Sequence, residues 1–180
     1  MIVLKNPLVS VIIPGYKSDY IVQTIESVLE QSYSNYEIIV VDDGSPYRLD
    51  KILSNFIREG KIIYCRQTNQ KMAAAKNKGI TLAKGHLLAF LDDDDLWNPQ
   101  KLKRQVDKFY KPEIGMVYTF AEGFSDDKTI KIPNFNIAKR GDILHDLFKE
   151  DFIPNSSVMI SRQSFNACGY FNSWKEEWIR

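Results

Sequence analysis

Apolar and polar positions along the chain alternate between two rhythms. Leu8-Val9-Ser10-Val11-Ile12-Ile13 is apolar except for Ser10, the pattern of a strand buried on both faces, and Pro14-Gly15-Tyr16 predicts a turn that stops it. A helical face follows at Ile21, Ile25, Val28 and Leu29, with Asp19 placed as its N-cap. Tyr36 to Val41 predicts a second buried strand, which runs into Asp42-Asp43-Gly44-Ser45. Ser45 then caps a helix that has Pro46 at its first position, Leu49, Ile52, Leu53, Phe56 and Ile57 on one face, and Gly60 at its end. Lys61 to Cys65 predicts a third strand. The good helix formers Met72 to Ala75 continue through Ile80 and Ala83, which predicts a helix over residues 69–84 with Gly85 as its stop. A fourth apolar strand ends in Asp92-Asp93-Asp94-Asp95, and a helix begins at Pro99 with Leu102, Val106 and Phe109 inward. Its outward face is expected to carry Lys101, Lys103, Arg104, Lys108 and Lys111. Beyond it, Ile114 to Phe120 predicts a fifth strand, Phe124 to Pro133 a hairpin, Asp142 to Lys149 a short helix, and Ser156 to Ser161 a last strand.

Strands alternating with helices at this spacing predict an α/β domain with a mainly parallel central sheet flanked by helices. The ligand crevice of such a sheet lies beyond the carboxyl ends of the strands, where the strand order reverses. Three loops therefore meet on one rim: Pro14-Gly15-Tyr16, Asp42-Asp43-Gly44-Ser45 and Asp92 to Asp95. Tyr16 can stack on a base, and Asp43 can accept hydrogen bonds from base or ribose.

Four adjacent carboxylates beside a buried strand call for a compensating cation. Hard oxygen ligands in small number suit Mg²⁺ or Mn²⁺ that also holds a substrate's phosphates. In extended chain Asp92 and Asp94 would share one side, Asp93 and Asp95 the other. A cation on Asp94 would hold a diphosphate. The glycine-rich fingerprints of dinucleotide and P-loop sites are both absent.

Composition narrows the classes further. The 180 residues fit one domain, and a net charge of +1 speaks against nucleic acid as a partner. No apolar run reaches membrane-spanning length, and Met1 to Lys5 lacks a leader pattern. Cys65 and Cys168 have no metal-ligand spacing and read as reduced thiols of a cytoplasmic protein. His86 and His145 make no ligand set. The basic helix face allows peripheral contact with an anionic membrane at its inner side, although such faces are more often simply solvated.

Four motifs occur in order: Val9-Ser10-Val11-Ile12-Ile13-Pro14 with Tyr16; Ile38-Ile39-Val40-Val41-Asp42-Asp43-Gly44-Ser45; Ala75-Lys76-Asn77-Lys78-Gly79; and Phe90-Leu91-Asp92 with Asp94, Asp95, Trp97 and Pro99. Together they resemble the catalytic domain of family 2 inverting glycosyltransferases, from about Val9 to the end of the chain. The resemblance implies a GT-A fold, Rossmann-like, and a nucleotide-diphosphate sugar donor, with UDP as the nucleotide. It implies a nucleotide site at Pro14, Tyr16, Asp43, Lys76 and Asp92, and a Mn²⁺ or Mg²⁺ held by Asp94. Because residue 93 is also Asp, the register of the acidic pair can shift by one, and Asp95 stays a ligand alternative. The base that the family carries after a Gly-x-Phe segment falls here on Glu177, in Glu176-Glu177-Trp178 after Gly169-Tyr170-Phe171. Two departures stand out: Lys17 occupies the position of the family's usual Asn, and Glu177 replaces the usual Asp. The chain also ends sooner than such domains do, so the expectation is one domain over residues 1–180 truncated at its C-terminus.

The implied reaction transfers a sugar, with inversion, to a glycan or lipid-linked acceptor in polysaccharide or cell-surface glycan synthesis. The acceptor surface is expected from residues 124–133, the Asn155-Ser156-Ser157 turn and the tail. The rival classes are a nucleotide-sugar-binding module without turnover and a magnesium phosphotransferase. The latter would want its acidic motif at the first strand, not the fourth.

Overall fold

The computed structural model describes residues 5–111, 113–125, 128–132 and 139–172. Strand β1 (Val9–Gly15) is buried along its whole length and runs through Pro14 and Gly15 instead of turning there. Helix α1 (Ile21–Leu29) buries Ile21, Ile25 and Val28. Its cap position is Tyr20, and Asp19 does not cap it; the Ser18 hydroxyl accepts the Tyr20 N–H at 3.1 Å instead. After β2 (Tyr36–Asp42), the expected helix from Ser45 and Pro46 does not form. The Ser45 hydroxyl instead accepts the N–H of Tyr47 at 3.2 Å in a local turn. Two short helices, α2 (Leu49–Ile52) and α3 (Ser54–Arg58), follow, and Gly60 takes a left-handed φ of +66° after the second.

Next come β3 (Ile63–Arg66), α4 (Lys71–Leu82), β4 (Leu87–Phe90) and α5 (Lys101–Val106). The fifth strand, β5, is cut to Met116–Val117. A hairpin forms where the alternation placed one, from β6 (Ala121–Ser125) and β7 (Lys128–Ile132). The chain then forms α6 (Leu144–Lys149), a 3₁₀ turn at Asn155–Ser157, β8 (Met159–Ser161) and α7 (Arg162–Cys168). Ser161 caps α7, accepting the Ser164 N–H at 3.1 Å.

The main sheet runs β3-β2-β1-β4-β8-β5. Strands β1 to β4 are parallel, and β8 is antiparallel to β4 and β5. Alternating side chains serve the two faces separately. Val9, Val11 and Ile13 pack with Ile21, Ile25, Val28 and Leu102, whereas Ile12 packs with Ile80, Phe90 and Phe165 on the other face. Gly79 sets the spacing of the second layer, because a Cβ there would lie 2.5 Å from Ile12 Cγ2. From β1 the chain goes outward to β2 and β3, then returns through α4 to β4 on the other side of β1. The order therefore reverses between β1 and β4. Among the described residues no helix is long and apolar enough to cross a membrane.

One face of α5 differs from expectation. Lys103, Arg104, Lys108 and Lys111 are exposed, but Lys101 is buried. Its ammonium lies 3.5 Å from the centre of the Trp97 ring, has no hydrogen-bond partner among the described residues, and is held well below the usual lysine range by burial. Lys101 and Gln105 share the inward stripe with Leu102, because positions one turn apart on a helix face the same way.

Candidate active site

The carboxyl ends of β1, β2 and β4 meet as the alternation predicted, and hydrogen bonds tie their loops together. The Asp43 N–H donates to the Gly15 carbonyl at 3.0 Å, and the Lys17 N–H to the Ser45 hydroxyl at 3.4 Å. The Tyr16 N–H donates to Asp93 Oδ2 at 2.9 Å. Lys17, Arg48 and Lys71 adopt left-handed φ values of 58°, 53° and 72°. Lys17 and Arg48 sit in the connections that leave β1 and β2 at this rim, and Lys71 opens α4 after β3.

The two aspartates after β2 divide their work. Asp42 is fully buried; its Oδ1 accepts the Ser45 N–H at 2.7 Å, and its Oδ2 accepts Tyr64 Oη and Arg66 Nη1, each at 2.6 Å. Burial, and then the Asp42 carboxylate, raise the Tyr64 hydroxyl's pKa. Asp42 is thus an anchor of the turn. Asp43 is also buried, but both of its bonds, from Gln67 Nε2 at 2.8 Å and the Gln70 N–H at 2.9 Å, end on Oδ1. This leaves Oδ2 for a ligand. Gly44, at φ +72°, passes so close to β3's loop that a Cβ would meet the Asn69 nitrogen at 2.9 Å.

The acidic run is a turn, closed by an Asp95 N–H to Asp92 carbonyl bond of 3.2 Å. The extended-chain pairing of Asp92 with Asp94 and Asp93 with Asp95 therefore does not hold. Asp92 and Asp95 both face the 3₁₀ turn: Asn155 Nδ2 donates to Asp92 Oδ1 at 2.7 Å, and the Ser156 hydroxyl donates to Asp95 Oδ2 at 2.5 Å. The same hydroxyl accepts the Asp92 N–H at 3.0 Å. Asp93 points the other way, and its carbonyl accepts the hydroxyls of Ser18 at 2.6 Å and Thr24 at 3.1 Å. Asp94 is exposed, and no hydrogen bond from the described residues reaches its carboxylate.

Electrostatics follow from this packing. Burial, aided by Asp94 and Asp92, pushes the Asp93 carboxyl up to about 6 against the lowering effect of the Tyr16 N–H. Asp92 is raised too, by burial first, and the Lys76 ammonium works against the shift. Lys76 is itself buried, 3.5 Å from Asp92 Oδ1.

Of the residues singled out in the sequence, Tyr16, Asp43, Lys76, Asp92, Asp94 and Asp95 come to one rim. Pro14 reaches it only through its backbone, since it lies buried in β1, paired in register with Val41. Glu177 lies outside the described residues. Gln67 and Gln70, which orient Asp43, were invisible in the pattern because neither belongs to an apolar stripe. Asn155 and Ser156, expected on the acceptor side, grip the acidic turn itself.

The donor set fits a hard divalent cation. Among the described residues no three carboxylate, thiol or imidazole groups form a ready-made cage. Mg²⁺ and Mn²⁺ sites that also hold phosphates use one or two carboxylates and leave the remaining positions to substrate and water. Asp94 is free for that role, and Asp95 has one carboxylate oxygen uncommitted.

Comparison with known proteins agrees with this geometry. The model described as glycosyl transferase family 2 matches residues 10–169. TuaG of Bacillus subtilis, named as a teichuronic acid biosynthesis glycosyltransferase, is 35% identical over 161 residues, 88% of this chain and 64% of its own. WfgD of Escherichia coli, a UDP-Glc:alpha-D-GlcNAc-diphosphoundecaprenol beta-1,3-glucosyltransferase, is 33% identical over 116 residues, 64% of this chain and 46% of its own. The present chain thus spans less than two thirds of either relative. Among solved structures, the Pyrobaculum calidifontis mannosyltransferase PcManGT, in complex with GDP-Man and Mn²⁺, shares the fold at a TM-score of 0.70 and 18% identity, over 95% of this chain and 49% of its own. Staphylococcus aureus TarS in complex with UDP matches 56% of this chain and 32% of its own, at a TM-score of 0.51 and 28% identity. The sheet is that of the GT-A fold, its acidic turn stands at the point of strand reversal, and the match across residues 10–169 makes the chain a member of glycosyl transferase family 2.

Proposed function

We propose that the chain transfers a sugar from a UDP-sugar to a glycan or lipid-linked acceptor, with inversion and with a divalent metal. The observation that carries this reading is the convergence of Asp43, the Lys76–Asp92 pair and the exposed carboxylate of Asp94 at the point of strand reversal. In this reading Asp43 Oδ2 accepts a donor of the base, Tyr16 covers the ring, and Asp92 takes the ribose. Asp94, with Asp95, would hold Mn²⁺ or Mg²⁺, whose contribution when bound is to neutralise charge on the leaving diphosphate. The acceptor hydroxyl attacks the anomeric carbon on the face opposite the nucleotide, through an oxocarbenium-like transition state. Glu177 takes the hydroxyl proton as general base. Names of relatives support the donor and acceptor classes: WfgD uses UDP-Glc and a diphosphoundecaprenol acceptor, and TarS has been captured with UDP and UDP-GlcNAc. An undecaprenol-linked acceptor would place the protein at the inner face of a cytoplasmic membrane, with Lys103 and Arg104 of α5, and Lys108 and Lys111 beyond it, toward anionic lipid.

Calorimetry of UDP with Mn²⁺ and then with EDTA tests the site. Without metal the diphosphate faces the acidic turn unscreened, and one such charge contact near a surface is worth ~1–4 kcal/mol, so affinity is expected to weaken tenfold or more. Equal affinity in both buffers removes the metal role. Release of UDP from a UDP-sugar, stimulated by acceptor, tests turnover. Binding without release under any acceptor would make the chain a binding module.

A further inference from the structure

Asn77 lies on α4 one residue beyond Lys76, half-buried, and its side chain makes two bonds to a single distant residue. Asn77 Nδ2 donates to the Phe171 carbonyl at 2.8 Å, and the Phe171 N–H donates to Asn77 Oδ1 at 2.9 Å, across 94 residues of sequence. A carboxamide offers the same donor and acceptor as a peptide unit, so this pairing is that of two strands, made by one side chain. Among the natural residues only Asn supplies both groups at this length. The Phe171 ring, although 37% exposed, has contacts on the same elements. It meets Phe90 edge-on at 5.2 Å and Phe165 at 6.3 Å, and the buried Lys76 ammonium lies 5.8 Å from its centre.

Phe90 is the last residue of β4, two before Asp92, and Lys76 is Asp92's ion-pair partner. Phe171 is therefore fixed to the helix and the strand that carry the donor site. The segment to which the base is assigned above starts from that point.

We infer that Asn77 is a positioning residue: it latches Phe171, where the segment assigned the base begins, to the nucleotide-binding helix. The inference rests on the transferase reading for its effect on rate, but the latch itself does not. Nothing in the role assigned above to Lys76, the Asp92 counter-ion, requires the next residue to be Asn.

The test uses Asn77→Ala and Asn77→Asp in the full chain. Alanine removes both bonds while favouring the helix, so α4 is not weakened. Aspartate keeps the acceptor and loses the donor, and should give an intermediate release. The first readout is amide exchange at Phe171, which needs no activity. It is expected to accelerate about tenfold or more in Asn77→Ala, with exchange in the β1 and β2 core unchanged. The second readout is kinetic. UDP affinity should stay within about threefold, whereas kcat for transfer should fall by one to two orders of magnitude, roughly the effect of a 1 Å misplacement remote from the chemistry. Unchanged protection of Phe171 overturns the latch. Release of Phe171 with unchanged kcat, or a loss of kcat traced wholly to UDP affinity, overturns the positioning role. If no condition yields transfer by the wild-type chain, the transferase reading fails while the exchange result still decides the latch. Should Asn77→Ala unfold, the same two readouts on Asn77→Asp decide.

Discussion

At the scale of single residues, Asp42 and Asp43 are adjacent and chemically identical, yet the structure gives them different partners. Asp42 has no exposed surface and satisfies Ser45, Tyr64 and Arg66. Replacing it by alanine strands a buried N–H and a tyrosine hydroxyl. Arg66 is 42% exposed and can be rehydrated, so the loss should be about 2–4 kcal/mol, below that of a fully buried pair. Asp43→Ala frees only the Gln67 amide and the Gln70 N–H, and should cost ~1 kcal/mol of stability while abolishing measurable UDP binding. Paired denaturant titrations and calorimetry separate the two. A folded Asp42→Ala of normal stability, or an Asp43→Ala that still binds UDP, would reverse the assignment. The sequence alone could not make this division, because side chains of neighbouring residues part only once β2 ends and the turn through Gly44 begins.

At the scale of elements, α5 shows where an apolar pattern misleads. Lys101 belongs by composition to a solvated basic face, but it lies on the stripe that contains Leu102 and Gln105. An ammonium buried without a hydrogen-bond partner costs several kcal/mol, whereas its contact with Trp97 returns about 2 kcal/mol. Lys101→Met keeps the volume and removes the charge, so it should raise stability by ~1–3 kcal/mol at pH 7. The sign with pH follows from the lowered pKa. The unfolded chain holds this proton up to about 10.5, while the native chain releases it earlier. Wild-type stability therefore rises with pH across that window, and the advantage of Lys101→Met shrinks there. Denaturant midpoints of both proteins at pH 7 and 9.5 check it; an advantage that grows with pH contradicts the burial argument. Other elements were legible in the sequence. Strands β1, β2 and β4 were visible as near-continuous apolar runs because they are buried on both faces, whereas the edge strand β3, only partly buried, was marked by the shorter apolar run before Arg66. Helix starts were not: before α1 it is Ser18, not Asp19, that accepts a backbone N–H, and the Ser45 hydroxyl closes a local turn at Tyr47 in place of a helix start. The strand expected over residues 114–120 shrank to Met116–Val117 because β8 offers it only two paired residues. Helix α7 carries too few apolar positions to announce itself.

At the scale of the whole molecule, the acidic turn is a seam between sequence-distant parts. From one side it is gripped by the N-terminal unit, through the Tyr16 N–H and the hydroxyls of Ser18 and Thr24 on Asp93. From the other it is gripped by Asn155 and Ser156, which precede β8, the antiparallel strand added beside β4. Trp97 ties the far end of the turn to the same place, with Nε1 donating to the Ser156 carbonyl at 2.8 Å. The carboxylates of Asp92, Asp93 and Asp95 are thereby held by hydrogen bonds while that of Asp94 stays exposed, and two of the four, Asp92 and Asp93, are raised by burial. The fold thus stores a repulsion that a divalent cation would relieve, provided the turn keeps its shape. Ser156 is the test of that condition, because one hydroxyl both accepts the Asp92 N–H and donates to Asp95. Ser156→Ala leaves a part-buried N–H unpaired but returns an exposed carboxylate to water, so the expected loss is ~1–2 kcal/mol, or about 2–8 °C in Tm for a chain of this size. The consequence for function should be larger than that for stability. With Asp95 released, the stabilisation that Mn²⁺ and UDP together add to the wild type should fall by more than the metal-free protein's own loss. Thermal melts of both proteins, with and without Mn²⁺ and UDP, measure both quantities. If the ligand-induced shift is the same size in Ser156→Ala as in the wild type, the grip from the N-terminal side is sufficient, and the 3₁₀ turn has no part in holding the proposed metal site.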